Sequence, residues 1–325
     1  MGLTAGIYPG SMQSSPPGSA ALVPATLPVV THLGRIPQAR PWLDGLPSLI
    51  EQVRESYGLR LSAPLHGGSC SWVAPAELPD GTGVIVKIGW PHPEMYGEAS
   101  ALRLWDGHGA VRLLAHDPGR HAMILQRCEP GDELRTAPGT PEDRLLAGCA
   151  VLRRLWQAAP PPGDGGDIKD LGPVAAGWAD LAEERMARLR PGYDPGLVAE
   201  GAALLRALPG SAQRTAVLHG DFNPGNVLSA GGGRWSAIDP KPMIGDPAYD
   251  PWPLLEQIDD PFAAAPRRVL RGRVALMAEA LGLQPVRLVS WALARRVESA
   301  LWAADHGDVA GGAAMMAGAR VLAGL

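Results

Sequence analysis

The stretch that decides the fold reads Val217-Leu218-His219-Gly220-Asp221-Phe222-Asn223-Pro224-Gly225-Asn226-Val227-Leu228. Its apolar start predicts a short buried strand that ends at His219-Gly220-Asp221, and Asn226 follows within the same turn. A second apolar run, Trp235 to Ile238, ends in Asp239-Pro240. A Gly-Asp pair alone is a common turn. The combination of two aspartates at strand ends with an Asp-x4-Asn spacing is a much more specific signal of a functional site than a Gly-Asp pair.

These side chains are the groups that phosphoryl transfer requires. One carboxylate orients the acceptor hydroxyl and takes its proton, while an amide oxygen and a second carboxylate hold magnesium on the phosphates. Magnesium prefers oxygen ligands and takes few of them from protein. The pattern therefore predicts Asp221 as the general base, with Asn226 and Asp239 as Mg²⁺ ligands. The alternative is that Asp221 and Asn226 only cap turns while Asp239 closes a strand.

Upstream, Lys87 lies inside the apolar run Val84 to Ile88, where an ammonium is costly unless it is paired. Glu98, on a helical pattern eleven residues later, can be the partner, and Glu94 competes one turn earlier. In kinases a strand lysine contacts the nucleotide phosphates and a helix glutamate holds it. The alternative places Lys87 on a solvent-facing strand edge and Glu98 on a solvated helix face.

Gly67, Gly68 and Ser69 lie between two β-like runs and could cover phosphates with backbone N–H groups. A plain hairpin turn explains them equally well in a chain with 41 glycines. Lys241 could reach a phosphate or pair with a nearby acid, and the sequence leaves both open.

Composition narrows the class of protein. Of 325 residues, 46% are hydrophobic and 19% charged, with a formal net charge of -4, which argues against a nucleic-acid backbone binder. No apolar run reaches the ~18 residues of a membrane span. The first 34 residues contain no charged side chain, so the positive region of a signal peptide is missing, and we expect a cytoplasmic protein. Cys70, Cys128 and Cys149 fit neither a disulfide framework nor zinc-ligand spacing.

The chain divides into three parts by pattern. Residues 1–40 are rich in Pro, Ser, Gly and Ala and are expected to form a disordered tail, with Met12 as an alternative start. Residues 41–126 predict a nucleotide-binding N-lobe with short strands and two helices, Pro41 to Leu59 and Glu94 to Trp105. Residues 127–325 predict a mostly helical C-lobe for catalysis and substrate binding, with strand-like runs only at 216–218 and 235–238. The expected fold class is α+β.

Together these motifs resemble the aminoglycoside phosphotransferase superfamily. The resemblance rests on His219-Gly220-Asp221-x4-Asn226, Ile238-Asp239-Pro240-Lys241 and Gly245-Asp246-Pro247-Ala248-Tyr249-Asp250. It is greatest to the streptomycin 6-kinase and hydroxyurea phosphotransferase branch, through Ser71-Trp72-Val73-Ala74-Pro75, Ala101-Leu102-Arg103-Leu104-Trp105 and Arg127-Cys128-Glu129-Pro130-Gly131.

The resemblance implies a protein-kinase-like bilobal fold, with ATP between the lobes and its adenine against a hinge that includes Gln126 and Cys128. It also implies that Asp246 and Asp250 support the loop after the metal-binding aspartate. The sequence departs from the branch at Asn223, where a histidine is expected, and at Cys70 in the phosphate loop.

The expected function is ATP- and Mg²⁺-dependent transfer of phosphate to an alcohol of a small molecule, an aminoglycoside such as streptomycin. A kinase of the same fold for a hydroxylated metabolite is the first alternative, and a non-catalytic nucleotide-binding regulator the second. The sequence contains neither a P-loop motif nor a Gly-x-Ser-x-Gly motif, which argues against a P-loop enzyme and against a serine hydrolase. Binding of a cationic acceptor would require carboxylates in the C-lobe. The candidates are Glu256, Asp259, Asp260, Glu298, Asp305 and Asp308.

Overall fold

The computed structural model describes residues 22–92, 95–161 and 166–325. The described chain forms two compact units. The first contains the residues up to Trp90 together with Ala115–Leu125, and the second contains Pro91–Leu114 and Gln126–Leu325. The second unit therefore includes residues 91–114, which the sequence analysis placed in the N-lobe.

A five-stranded sheet with strand order β1-β2-β3-β5-β4 dominates the first unit. Its strands are β1 (Arg60–Leu61), β2 (Ser71–Glu77), β3 (Gly83–Gly89), β4 (Leu113–Asp117) and β5 (Ala122–Gln126). β2 and β3 pair antiparallel from Ser71↔Gly89 to Glu77↔Gly83. Alternate residues of β2 are buried, as expected for a strand with one face on a core. Helices α1 (Pro28–Leu33) and α2 (Arg40–Tyr57) contribute buried side chains to the same core.

The N-terminal segment corrects one expectation. Residues 22–40 were expected to belong to a disordered tail, but they form part of the fold, and Leu27 and Leu33 are buried in the core of the first unit. The indole Nε1 of Trp72 donates a hydrogen bond to the backbone oxygen of Leu22 at 2.7 Å. The Pro- and Ser-rich composition belongs mainly to residues 1–21, which lie outside the described part of the chain. The Leu and Val side chains that follow supply enough apolar area to order the segment.

Helices make up most of the second unit. They are α3 (Glu98–Trp105), α4 (Pro141–Leu155), α5 (Leu171–Leu189), α6 (Pro195–Ala207), α7 (Pro251–Gln257), α8 (Pro266–Leu281), α9 (Pro285–Asp305) and α10 (Val309–Ala323). The antiparallel sheet of the first unit and the helical second unit confirm the α+β class.

Helix α3 begins at Glu98, later than the predicted Glu94. Gly97 precedes it with a φ of 88°, and a Cβ there would lie 3.0 Å from the backbone oxygen of Asp167. This left-handed residue favours glycine and starts the helix at the next position. Pro93 and Glu94 lie outside the described residues.

The second unit contains more short strands than the sequence predicted. Besides β7 (Ala216–Leu218) and β9 (Trp235–Ala237), it contains β6 (Lys169–Asp170), β8 (Val227–Ser229) and β10 (Met243–Gly245). β10 pairs with β7 antiparallel and with β6 parallel, and β8 pairs with β9. Strands of two or three residues are too short to show a period, so tertiary pairing alone defines them.

Among the described residues, no helix combines the length and apolar composition needed to cross a membrane.

Candidate active site

The turn at Gly220 sets the geometry of the site. Gly220 has a φ of 81°, and a Cβ at this position would lie 1.9 Å from the backbone oxygen of Lys241. The backbone N–H of Lys241 donates to the oxygen of His219 at 2.8 Å. Only glycine permits both the left-handed backbone and this close approach. The segment after Asp239 therefore runs directly alongside the residue that precedes Asp221.

His219 supports the turn from within the core. It is fully buried, and its Nδ1 lies 3.3 Å from the Asp221 backbone N–H, while its Nε2 lies 3.0 Å from the oxygen of Ile238. Because Nδ1 accepts and Nε2 donates, these partners assign the neutral tautomer with the proton on Nε2. Burial lowers the pKa of His219, which favours the same neutral form. His219 thus ties the Asp221 loop to the strand that leads into Asp239.

Asp250 holds the same turn from the other side. Its carboxylate accepts the backbone N–H groups of His219 and Gly220, both at 2.9 Å, and the indole N–H of Trp156 at 3.0 Å. Burial raises the pKa of Asp250, and the N–H groups that its carboxylate accepts oppose that rise. Asp250 is fully buried and does not line the cavity beside Asp221, so its role is to fix the backbone.

Asp246 anchors the loop to helix α9. Its Oδ1 accepts the Ala248 N–H at 3.0 Å, and its Oδ2 accepts Arg287 Nε at 2.6 Å and the Trp291 indole N–H. The carboxylate is 3% exposed, and its contact with Arg287 is also an ion pair. These contacts agree with the supporting role that the family resemblance implied for Asp246 and Asp250.

Asp221 lies at the start of a loop whose amides point toward it. Asn223 Nδ2 lies 3.3 Å from Asp221 Oδ1, and Asn226 Nδ2 lies 3.4 Å from Asp221 Oδ2 and 3.0 Å from its backbone oxygen. The side-chain oxygen of Asn223 accepts the backbone N–H groups of Gly225 and Asn226. Asn223 therefore both caps this turn and orients the Asp221 carboxylate, a role that was left open from the sequence.

Asp239 is brought to the same loop by the β8–β9 hairpin. The backbone N–H of Ile238 donates to the Asn226 oxygen at 2.9 Å, which places the next residue, Asp239, close to Asn226. Asp239 has a φ of 54°, a left-handed conformation that aspartate tolerates better than most residues. The expected metal ligands Asn226 and Asp239 thus converge, and such unusual backbone is common at functional sites.

The donor chemistry of this pair suits magnesium. Because Asn226 directs its amide nitrogen to Asp221, its Oδ1 is the atom left to face a cation, and Asp239 adds a carboxylate. Magnesium takes one or two protein oxygens and completes its shell with phosphate and water. In the described residues no cluster of three or more His, Cys, Asp or Glu side chains forms a cation site.

A cavity of about 770 Å³ in the second unit opens beside Asp221. Gly220, Asp221 and Lys241 line one side of it. Helix α9 lines another with a single face, through Arg295, Glu298, Ser299, Trp302 and Ala303, and His306 lines it just after the helix ends. Trp178 and Tyr249 stack at 5.9 Å between ring centroids within the lining, and Arg295 lies 4.1 Å from the Tyr249 ring centroid. The cavity can receive a small molecule at the carboxylate of Asp221.

Sequence reasoning missed this helix face. The positions recur at the three- and four-residue spacing of one helical face, which was visible in the sequence but is also typical of a helix that faces a core. The ring of Trp302 stacks on His306 at 3.9 Å and is 51% exposed, a combination that a core position would not show.

The expected acceptor carboxylates only partly reach the cavity. Glu298 and Asp308 line it, and Glu298 also pairs with Arg185 at 3.2 Å. Outside the lining, Glu256 and Asp259 pair with Arg296 and Arg144, and Asp305 pairs with Arg185 and Arg188. Asp260 accepts the backbone N–H of Phe262. The acidic cluster Glu256 to Asp260 is therefore committed to internal contacts, and its expected role beside the acceptor is corrected.

The remaining predicted residues lie in both units. In the first, Lys87 is 7% exposed on β3, Gly68 has a φ of 84°, and the hydroxyl of Ser69 contacts the Cys70 sulfur at 3.7 Å. A Cβ at Gly68 would lie 3.2 Å from the Ser71 oxygen, whereas one at Gly67 would meet nothing within 4 Å. The loop therefore requires glycine at Gly68 only. In the second unit, Glu98 is 3% exposed at the start of α3.

The predicted hinge begins at the end of β5. The backbone N–H of Gln126 donates to the Arg112 oxygen at 2.9 Å, and its side-chain oxygen accepts the Arg112 N–H at 3.2 Å. Burial raises the pKa of Cys128 to about 11, so its thiol stays protonated at neutral pH. Gln126 and Cys128 thus form an ordered, chemically inert segment.

The chain is similar to known proteins in sequence and in fold. The model of the Aminoglycoside/hydroxyurea antibiotic resistance kinase family matches residues 61–307. A streptomycin 6-kinase of Streptomyces glaucescens is 33% identical over 277 residues, which cover 84% of this chain and 88% of that protein. A hydroxyurea phosphotransferase of Kitasatospora aureofaciens is 34% identical over 314 residues, covering 94% and 87%. The crystal structure of the choline kinase LicA from Streptococcus pneumoniae has a TM-score of 0.61 at 15% identity, covering 86% and 99%.

The fold is that of the protein-kinase-like phosphotransferases, with a β-rich N-terminal lobe and a mostly helical C-terminal lobe. The chain belongs to the Aminoglycoside/hydroxyurea antibiotic resistance kinase family, which confirms the resemblance seen in the sequence. It is an enzyme that transfers phosphate to hydroxyl groups.

Proposed function

We propose that this enzyme transfers the γ-phosphate of ATP to a hydroxyl group of a small molecule bound in the cavity beside Asp221. The observation that carries the proposal is the lining of that cavity by Asp221, in the same loop as Asn226 and next to the strand that delivers Asp239. Asp221 takes the proton of the acceptor hydroxyl as its oxygen attacks phosphorus.

Magnesium is proposed to bind to Asn226 and Asp239, where it would neutralise the charge of the phosphates. The nucleotide contacts are proposed to be Lys87, Glu98, Gly67, Gly68, Ser69, Gln126 and Cys128. The burial of Lys87 and Glu98, and the backbone conformation of Gly68, support three of these assignments.

The proposed acceptor is an aminoglycoside such as streptomycin. Two streptomycin 6-kinases among the relatives are 33% and 32% identical, over 84% and 88% of this chain. Glu298 and Asp308 offer carboxylates to a cationic acceptor, and the aromatic lining offers flat surfaces to a sugar ring.

A different hydroxylated acceptor is the second candidate. Lys169, Lys241 and Arg295 also line the cavity, so its charge is mixed and not purely acidic. The 34% identity to a hydroxyurea phosphotransferase points the same way, since hydroxyurea carries no positive charge.

The test is a product assay with purified protein, ATP and Mg²⁺. Streptomycin, other aminoglycosides, hydroxyurea and common hydroxylated metabolites are each incubated with enzyme, and products are identified by mass spectrometry. We expect a phosphorylated aminoglycoside, with no product from Asp221→Asn under the same conditions. Phosphorylation of hydroxyurea or a metabolite alone supports the second candidate. Failure to phosphorylate any acceptor while ATP is bound contradicts the proposal.

A further inference from the structure

Lys241 occupies a position in the cavity that the sequence left open. Its Nζ lies 3.4 Å from Asp221 Oδ2, and the side chains of Lys241 and Asp221 are 47% and 29% exposed. Both line the same cavity, so the ammonium faces the place where an acceptor hydroxyl would meet Asp221. Lys241 thus forms an ion pair with the proposed base.

The backbone fixes this position independently of the ion pair. The Lys241 N–H donates to the His219 oxygen at 2.8 Å, and the backbone of Gly220 approaches the Lys241 oxygen too closely for any other residue. Two residues later, Met243 is in register with Leu218 in the β7–β10 ladder. Strand pairing therefore delivers the lysine to Asp221, and the flexible side chain only has to span the last few ångströms.

A surface ion pair of this exposure contributes little to folding stability, ~0–1 kcal/mol. Its placement has a larger consequence for the reaction. During transfer the acceptor O–H bond breaks and its proton goes to Asp221; the acceptor oxygen forms a bond to the γ-phosphorus, and the bond from that phosphorus to the β–γ bridging oxygen breaks. ADP leaves with the electron pair of that bond.

Protonation changes the charge next to Lys241. Before transfer, the ammonium is neutralised by the Asp221 carboxylate. Once Asp221 has taken the proton it is neutral, and the positive charge of the ammonium can then act on the phosphate ester of the acceptor. A preorganised cation stabilises a neighbouring phosphate most effectively when the negative charge of that phosphate is developing.

We propose that Lys241 is a second cation of the phosphoryl-transfer site: it orients the Asp221 carboxylate before the reaction and neutralises the transferred phosphate as Asp221 becomes protonated. This rests on the proposed function, because it requires Asp221 to be the base. Lys241 is distinct from Lys87, which lies on β3 of the first unit.

Kinetics of three variants test the proposal with the acceptor that the wild-type enzyme phosphorylates. Lys241→Met is expected to lower kcat by about 10²-fold, the lower end for loss of one preorganised charge contact, with less than a threefold change in the KM for ATP. Lys241→Arg retains the charge and is expected to recover at least a tenth of wild-type kcat. Ethylammonium ions are expected to increase the kcat of Lys241→Ala, whereas ethanol at the same concentration has no effect.

Each outcome either supports or overturns the proposed role of Lys241. A Lys241→Met variant with more than half of wild-type kcat overturns the proposal. If Lys241→Met unfolds at lower denaturant concentration than wild type, the other two variants are used to test the proposal. If Lys241→Arg does not recover kcat and ethylammonium does not increase the kcat of Lys241→Ala, the role of Lys241 is purely structural.

A measurement that needs no turnover separates this inference from the proposed function. The sequence has three lysines, Lys87, Lys169 and Lys241, so protein labelled with ¹³C at lysine Cε gives three assignable signals. Asp221→Asn is expected to shift the Lys241 signal and to leave that of Lys169 in place. A wild-type enzyme that phosphorylates no acceptor contradicts the proposed function, whereas an unmoved Lys241 signal overturns this inference.

Discussion

At the residue scale, the site depends on hydrogen bonds that give each polar group one role. His219 donates from Nε2 and accepts at Nδ1, Asn223 accepts two backbone N–H groups, and Asn226 turns its nitrogen toward Asp221. Because these amides face the Asp221 carboxylate, its orientation is set before any ligand arrives.

The first prediction concerns Asp221. Asp221→Asn keeps the size of the side chain but cannot accept the hydroxyl proton, so kcat is expected to fall by about 10²–10⁴-fold with nearly unchanged ATP affinity. Steady-state kinetics and calorimetric titration measure the two quantities. Asp180→Asn is the control, because this exposed carboxylate pairs with Arg206 and does not line the cavity. A folded Asp221→Asn variant with more than about a tenth of wild-type kcat would show that another group is the base.

The second prediction concerns Asp239. Asp239→Asn removes a negative oxygen donor from the proposed magnesium site, so the affinity for nucleotide in the presence of Mg²⁺ is expected to fall at least about tenfold. Nucleotide affinity measured without divalent cation should change little. Equal affinities of wild type and Asp239→Asn for the Mg²⁺ complex would remove Asp239 from the metal site.

At the scale of elements, two short ladders build the site. The β8–β9 hairpin places Asp239 near Asn226, and the β7–β10 ladder returns the chain past Gly220. Neither ladder exceeds three residues, so their stability comes from the buried contacts of His219 and Asp250 as much as from strand pairing. One face of α9 lines the cavity beside Asp221.

Gly220→Ala tests this arrangement. The new Cβ would require a left-handed alanine and would collide with the Lys241 backbone, so we expect a loss of about 2–5 kcal/mol in the free energy of unfolding. Gly177→Ala, on the exposed face of α5 with nothing within 4 Å of a Cβ, should be neutral or stabilise the protein by up to about 1 kcal/mol. Urea denaturation compares both with wild type. Equal stability of the two variants would mean that the turn can rearrange.

At the scale of the whole molecule, the chain folds as two compact units, and the first one starts earlier than composition indicated. Helix α1 adds Val29 and Leu33 to the core beneath the sheet. The segment before α2 is therefore part of the fold.

Leu33→Ala tests that conclusion. Leu33 is fully buried, so truncation should destabilise the protein by roughly 2–5 kcal/mol through lost burial and the remaining cavity. Val30→Ala, a half-buried position on the same helix, should cost clearly less. Thermal and urea unfolding provide the comparison. If Leu33→Ala is as stable as wild type, α1 contributes nothing to the folded core.

The sequence by itself determined the α+β class, the family and most longer elements, because helical periods and apolar strand runs are local signals. It also singled out Asp221 and Asn226, whose spacing is fixed by the turn that they share, and Asp239, which follows the next apolar run. Their roles remain predictions.

Only the tertiary structure decided three other points. It paired Lys241 with Asp221, since these residues meet through the β7–β10 ladder and not through sequence proximity. It committed the acidic cluster Glu256 to Asp260 to internal partners and brought one face of α9 to the cavity. Long-range packing determines which polar groups face a cavity, and no local pattern encodes it.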